Sequence, residues 1–72
     1  MTQDEFLTTM QEDVLDTDRT IMLEMKLKDI EEWDSLAYVS YIAMANTKVG
    51  KKVDRMAVQD AATIGDLYAL LQ

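Results

Sequence analysis

The residues of this chain that could do chemistry gather around Ser35. It stands in the run Trp33-Asp34-Ser35-Leu36-Ala37, directly after an acid and at the head of an apolar stretch of helical period. A serine so placed is exposed at the positive end of a helix, where the first backbone N–H groups have no intrahelical acceptor. Together with the helix dipole they favour an anion by ~0.3–1 kcal/mol at an exposed site. The site therefore suits a covalently attached phosphate group. Asp34 and Ser35 are also favoured helix caps, and on the tripeptide alone a plain cap is the simpler account.

Little else offers chemistry. The 72 residues include no His and no Cys, which removes the usual general base, the commonest metal ligand, and any disulfide or zinc-thiolate support. A self-contained enzyme does not fit this inventory. Asp16-Thr17-Asp18 begins like a calcium loop, but Ile21 stands where that loop needs Gly and Leu27 where it needs Glu. Glu31-Glu32-Asp34 reads as a solvated acidic cluster rather than a metal site.

Charge narrows the partners. Fourteen acids oppose seven bases, a net −7, which argues against nucleic acid. Residues 1–34 hold 11 acids and three bases, whereas residues 35–72 hold three acids and four bases, so the acidity belongs to the first half. No apolar run is long enough to span a membrane, and the opening Met1-Thr2-Gln3-Asp4-Glu5 does not read as a signal peptide. These features predict a cytoplasmic, monomeric protein with a single domain over 1–72.

The elements that must position Ser35 are helical. Thr2 with Glu5 forms a capping-box signal, and Phe6, Leu7, Met10, Val14 and Leu15 follow at helical spacing to about Asp16. Residues 16–34 predict an irregular loop laying Ile21, Leu23, Leu27 and Ile30 over the core. The alternation across 23–28 is strand-like, but no other segment offers a convincing partner. A second helix is predicted from Asp34 or Ser35 to about Lys48, stopped by Gly50. Leu36, Val39, Ile42, Ala43 and Val49 are expected on its inner face, with Tyr38, Tyr41, Ala45 and Lys48 opposite. Leu36 is expected to anchor its first turn. A short helical turn falls at 56–61. Thr63 with Asp66 opens a last helix carrying Ile64, Leu67, Leu70 and Leu71. Met10, Met22, Met25 and Met56 are expected as soft core filler.

Taken together, Trp33-Asp34-Ser35-Leu36-Ala37 with Val39 and Ile42, the acidic first helix, the long loop and the ending Thr63-Ile64-Gly65-Asp66-Leu67 resemble the acyl carrier protein family. The resemblance runs over nearly the whole chain. It implies an all-α four-helix bundle, three main helices plus a short third, with a long loop between helices 1 and 2. It also implies a phosphoprotein in which Ser35, flanked by Asp34 and Leu36, carries 4′-phosphopantetheine donated from coenzyme A by a phosphopantetheinyl transferase. The arm's thiol would hold acyl or aminoacyl groups as thioesters for acyl-loading and acyl-transfer enzymes. Such a carrier needs no His or Cys of its own.

This chain departs from the fatty-acid carriers, whose second helix is studded with acids. After Asp34 the second helix has none. That points to a specialised lipid or secondary-metabolite pathway, with Tyr38, Tyr41 and Ala45 as an aromatic, apolar partner surface and Glu31 and Glu32 as local steering charges. The alternative is a small helical interaction module with no prosthetic group.

Overall fold

Thr2 sets the first helix. Its hydroxyl accepts from the Glu5 N–H at 3.2 Å, and the Glu5 carboxylate accepts from the Thr2 N–H at 2.8 Å. The box satisfies donors that the first turn leaves free. The computed structural model describes all 72 residues, and its helices are α1 (Gln3–Thr9), α2 (Ser35–Met44), α3 (Arg55–Asp60) and α4 (Ile64–Ala69). α1 and α2 each run on through five residues of wider π-type turn, Met10–Val14 and Ala45–Val49. Leu27–Asp29 forms one 3-10 turn within the long connection. The all-helical class follows the expectation from sequence, while α4 is as short as α3, six residues each.

Both long helices stop where a left-handed residue turns the chain. Asp16 adopts φ 50°, and the Thr17 N–H reaches back to the Gln11 carbonyl at 3.0 Å. Gly50 adopts φ 73°, a conformation in which glycine has no Cβ penalty, and the Lys51 N–H closes onto the Ala45 carbonyl at 3.0 Å.

Fifteen apolar residues form one core. α1 and its continuation contribute Phe6, Met10 and Val14; α4 contributes Ile64 and Leu67, with Leu71 just beyond it. The connection adds Ile21, Leu27 and Ile30 as expected, with Leu23 half-buried. The strand-like alternation has a partner after all, in the residues just before α4. Lys26 and Thr63 form a single antiparallel bridge, flanked by Leu27 N–H to Ala62 carbonyl at 2.9 Å and Ile64 N–H to Met25 carbonyl at 3.0 Å. Gly65 extends the contact, donating to the Leu23 carbonyl at 2.7 Å; a Cβ there would sit 3.1 Å from that oxygen. One bridge does not make a sheet, so the segment remains a tethered loop.

Three expectations about the core are corrected. α2 is turned the other way: Ala37, Tyr41, Met44 and Ala45 are buried, while Leu36 and Val39 are 74% and 59% exposed and Ala43 is also exposed. Only Ile42 and Val49 of the expected inner face are even half-buried. The cause lies in the helix itself, which is apolar nearly all round and so gives periodicity little to orient. What decides is the tyrosine hydroxyl. Tyr41 Oη donates to the Leu67 carbonyl at 2.6 Å, so the ring can be fully buried without stranding a polar atom. Second, Leu36 is not an anchor of the first turn but its most exposed apolar side chain. Third, Met22 and Met56 are exposed, and Met44 supplies the buried sulfur instead.

Candidate functional site

The head of α2 is built by Asp34. Its backbone is extended, at φ −118° and ψ −170°, and its Oδ1 accepts from the Ala37 N–H at 2.9 Å. Its carbonyl accepts from the Tyr38 N–H at 2.9 Å. The cap thus belongs to Asp34, not to Ser35. Ser35 is the first helical residue; it is exposed, and its hydroxyl takes no part in the capping. The N–H groups of Ser35 and Leu36 have no acceptor within the helix, so the anion-favouring end of α2 stays open beside the serine hydroxyl.

Trp33 fixes where this end points. Its indole is half-buried and meets the Tyr41 ring edge-on, with centroids 6.3 Å apart and planes at 75°. Edge-to-face contacts of this kind contribute ~0.5–1.5 kcal/mol beyond area burial. The Trp33 N–H donates to the Ile30 carbonyl at 3.1 Å and the Asp34 N–H to the Glu32 carbonyl at 3.0 Å. The residue before the helix is therefore held by both ring packing and backbone bonds.

Beside the serine lies a shallow cleft of about 380 Å³ between the end of the first helix and the start of α2. Val14, Leu15 and Ala37 form its apolar wall, and Asp13, Asp16, Glu32 and Asp34 line it with acid. Glu32 is not a free steering charge. It pairs with Arg19 at 3.3 Å, and the neighbouring Thr17 hydroxyl, ahead of that guanidinium, holds its carboxyl below the usual carboxylate range. Glu31 is exposed. No group of carboxylates converges as a metal site.

The structure thus brings Asp34, Ser35, Leu36, Glu31 and Glu32 to one end, with Tyr38 half-exposed on the adjoining face. Tyr41 and Ala45 do not belong there, being 0% exposed in the core. Two exposed residues were missed. Val39 continues the line from Leu36 along α2, and Met56 is 69% exposed on α3. The three- and four-residue spacing of Leu36, Val39 and Ala43 was the available signal, assigned to the wrong side.

The chain is thus a small all-helical bundle with a capped, anion-favouring helix end bearing an exposed serine. No protein-family model and no curated protein matches the chain. A solved structure from Mycobacterium tuberculosis, provisionally described as an acyl carrier protein, matches with a TM-score of 0.81 and 26% identity. The match covers 94% of this chain and 90% of that one. The family this likeness supports is that of the acyl carrier proteins, the one the sequence resembles.

Proposed function

We propose that the protein is a carrier whose Ser35 bears 4′-phosphopantetheine, transferred from coenzyme A by a phosphopantetheinyl transferase. The observation that carries this reading is Ser35 itself: exposed, first in α2, and relieved of capping by Asp34. The site fits the group. A phosphodiester on the serine oxygen would lie at the two open N–H groups of Ser35 and Leu36, where a negative charge is favoured. When bound, the arm would supply the thiol that the chain lacks, and so the means to hold an acyl or aminoacyl thioester. The chain's own contribution is placement. Asp34 fixes the first turn, Trp33 pins the approach, and the exposed Leu36 and Val39 offer apolar contact to an enzyme reaching Ser35.

The acid-free outer face of α2 supports a specialised pathway over housekeeping fatty-acid synthesis. A partner docking there meets Leu36, Val39, Ala43, Asn46 and Thr47, with Tyr38 to one side and Glu31 and Asp34 only at the near end. Incubation with a fluorescent coenzyme A analogue and a broad-specificity transferase tests the reading. Label should enter the wild type and not Ser35→Ala. Label that enters both equally would move the site elsewhere.

A further inference from the structure

One basic region of this acidic chain, the loop after α2, has an apolar floor. Where the loop after Gly50 folds back on the outer side of α2, a groove of about 270 Å³ opens over Ile42, Ala43 and Val53. Lys51, Lys52 and Arg55 rim it, Asn46 completes it, and no carboxylate lines it. The two ion pairs in the structure, Arg19–Glu32 and Lys48–Asp13, use none of these three cations. Lys51 Nζ donates to the Gln72 main-chain oxygen at 2.5 Å, so of these three Lys52 and Arg55 have no internal partner. The neighbouring Asp54 is engaged, its Oδ1 accepting from the Met56 N–H at 3.2 Å to cap α3. Tyr38 Oη donates to the Arg55 carbonyl at 3.4 Å and ties the rim to α2.

We propose that this groove docks an acidic, amphipathic segment of a partner protein. The apolar floor selects a side chain to bury, and the unpaired cations select carboxylates beside it. The opposite end of α2 carries Glu31 and Asp34, with the uncharged line Leu36–Val39–Ala43 between the two ends. The complementary surface is therefore apolar in the middle, basic near Ser35 and acidic at the groove. A protein surface can present that reversal of sign; a nucleic acid, uniformly negative, cannot match both ends. This polarity is opposite to docking steered by acids along the whole helix. The proposal does not depend on modification of Ser35 and is tested on the unmodified chain, so its failure and that of the carrier reading are separate.

The experiment is an amide-shift titration of the labelled protein with three probes. One is a helical peptide with leucines on one face and glutamates on the other. The second has lysines in place of the glutamates, and the third is laurate. The glutamate peptide should shift Ile42, Asn46 and Val53 amides, with affinity falling as salt rises. Lys52→Glu combined with Arg55→Glu should weaken it about tenfold or more. Both residues are exposed and unpaired, so the variant keeps its fold, which the unchanged core shifts would verify. Equal binding of the lysine peptide at the groove, shifts confined to other surfaces, or no loss in the double variant would overturn the proposal. So would laurate binding at the groove that the glutamate peptide fails to displace, since that identifies a small-molecule pocket.

Discussion

Replacing Tyr41 separates a core residue from a docking residue. Its ring is completely buried, and its hydroxyl serves the Leu67 carbonyl at 2.6 Å. That carbonyl lies at the end of α4, and the Leu71 N–H four residues on goes to the Tyr68 carbonyl at 3.0 Å instead. Tyr41→Phe therefore removes one hydrogen bond and strands a buried acceptor. A net bond contributes about 0.5–1.5 kcal/mol, and an unsatisfied buried group costs about 1–3 kcal/mol. Because the packed ring is retained, a loss of about 1–2 kcal/mol is expected. At this chain length each kcal/mol lowers Tm by about 4–8 °C. Tyr41→Ala also loses the ring, including the contact with Trp33, and should cost about 3–5 kcal/mol. A domain of this size has a total stability of only about 4–11 kcal/mol, so the alanine variant should be near its folding limit. Urea unfolding followed by far-ultraviolet circular dichroism gives both values. Midpoints for Phe and Ala indistinguishable from wild type would refute the argument and return Tyr41 to the surface.

Burial pushes the Tyr41 phenol up from its ordinary value near 10 to about 12. With the folded value raised, its stabilising contribution is complete below about pH 10 and is lost as pH rises towards 12; a spectrophotometric titration should show a late phenolate step that Tyr41→Phe lacks. Ser35→Ala should change stability by less than about 0.5 kcal/mol, whereas Asp34→Ala, which removes the α2 cap, should cost about 0.5–2 kcal/mol in the same urea assay. The Ala62 N–H first, then that of Thr63, hold the Asp66 carboxyl below the usual range. Its contribution is therefore present above about pH 4 and is lost as pH falls through the lowered folded value; urea midpoints for Asp66→Asn should show a shallower decline on the acid side. Gly50→Ala forces a Cβ into the left-handed region and should cost about 1 kcal/mol, measured as a fall in Tm.

The helix ends were the most legible part of the chain. Thr2 with Glu5, Asp34, Gly50 and Thr63 with Asp66 each act where their side-chain chemistry placed them, because capping is a local property that needs no knowledge of the rest of the fold. The buried residues of α1, α4 and the long connection were legible too, since their neighbours are polar enough to give the pattern one clear side. α2 was not. With apolar residues on nearly every side, its orientation is decided by tertiary partners, above all a carbonyl at the end of α4 for Tyr41, with Ala37 and Ala45 buried on the same side. The pairing of Leu23–Leu27 with Ala62–Gly65 was hidden for a similar reason. Its second half is only a few residues long and reads as the approach to a helix, not as a strand.

The central claim concerns one oxygen atom, and intact mass measurement after incubation with coenzyme A and a broad-specificity phosphopantetheinyl transferase tests it most directly. The account predicts a gain of a single phosphopantetheinyl group on the wild type, fragmentation placing it on Ser35, and no gain on a folded Ser35→Ala variant. A wild-type chain that stays unmodified while a known carrier protein in the same tube is converted, or a modification mapped to another hydroxyl such as Ser40, would contradict it.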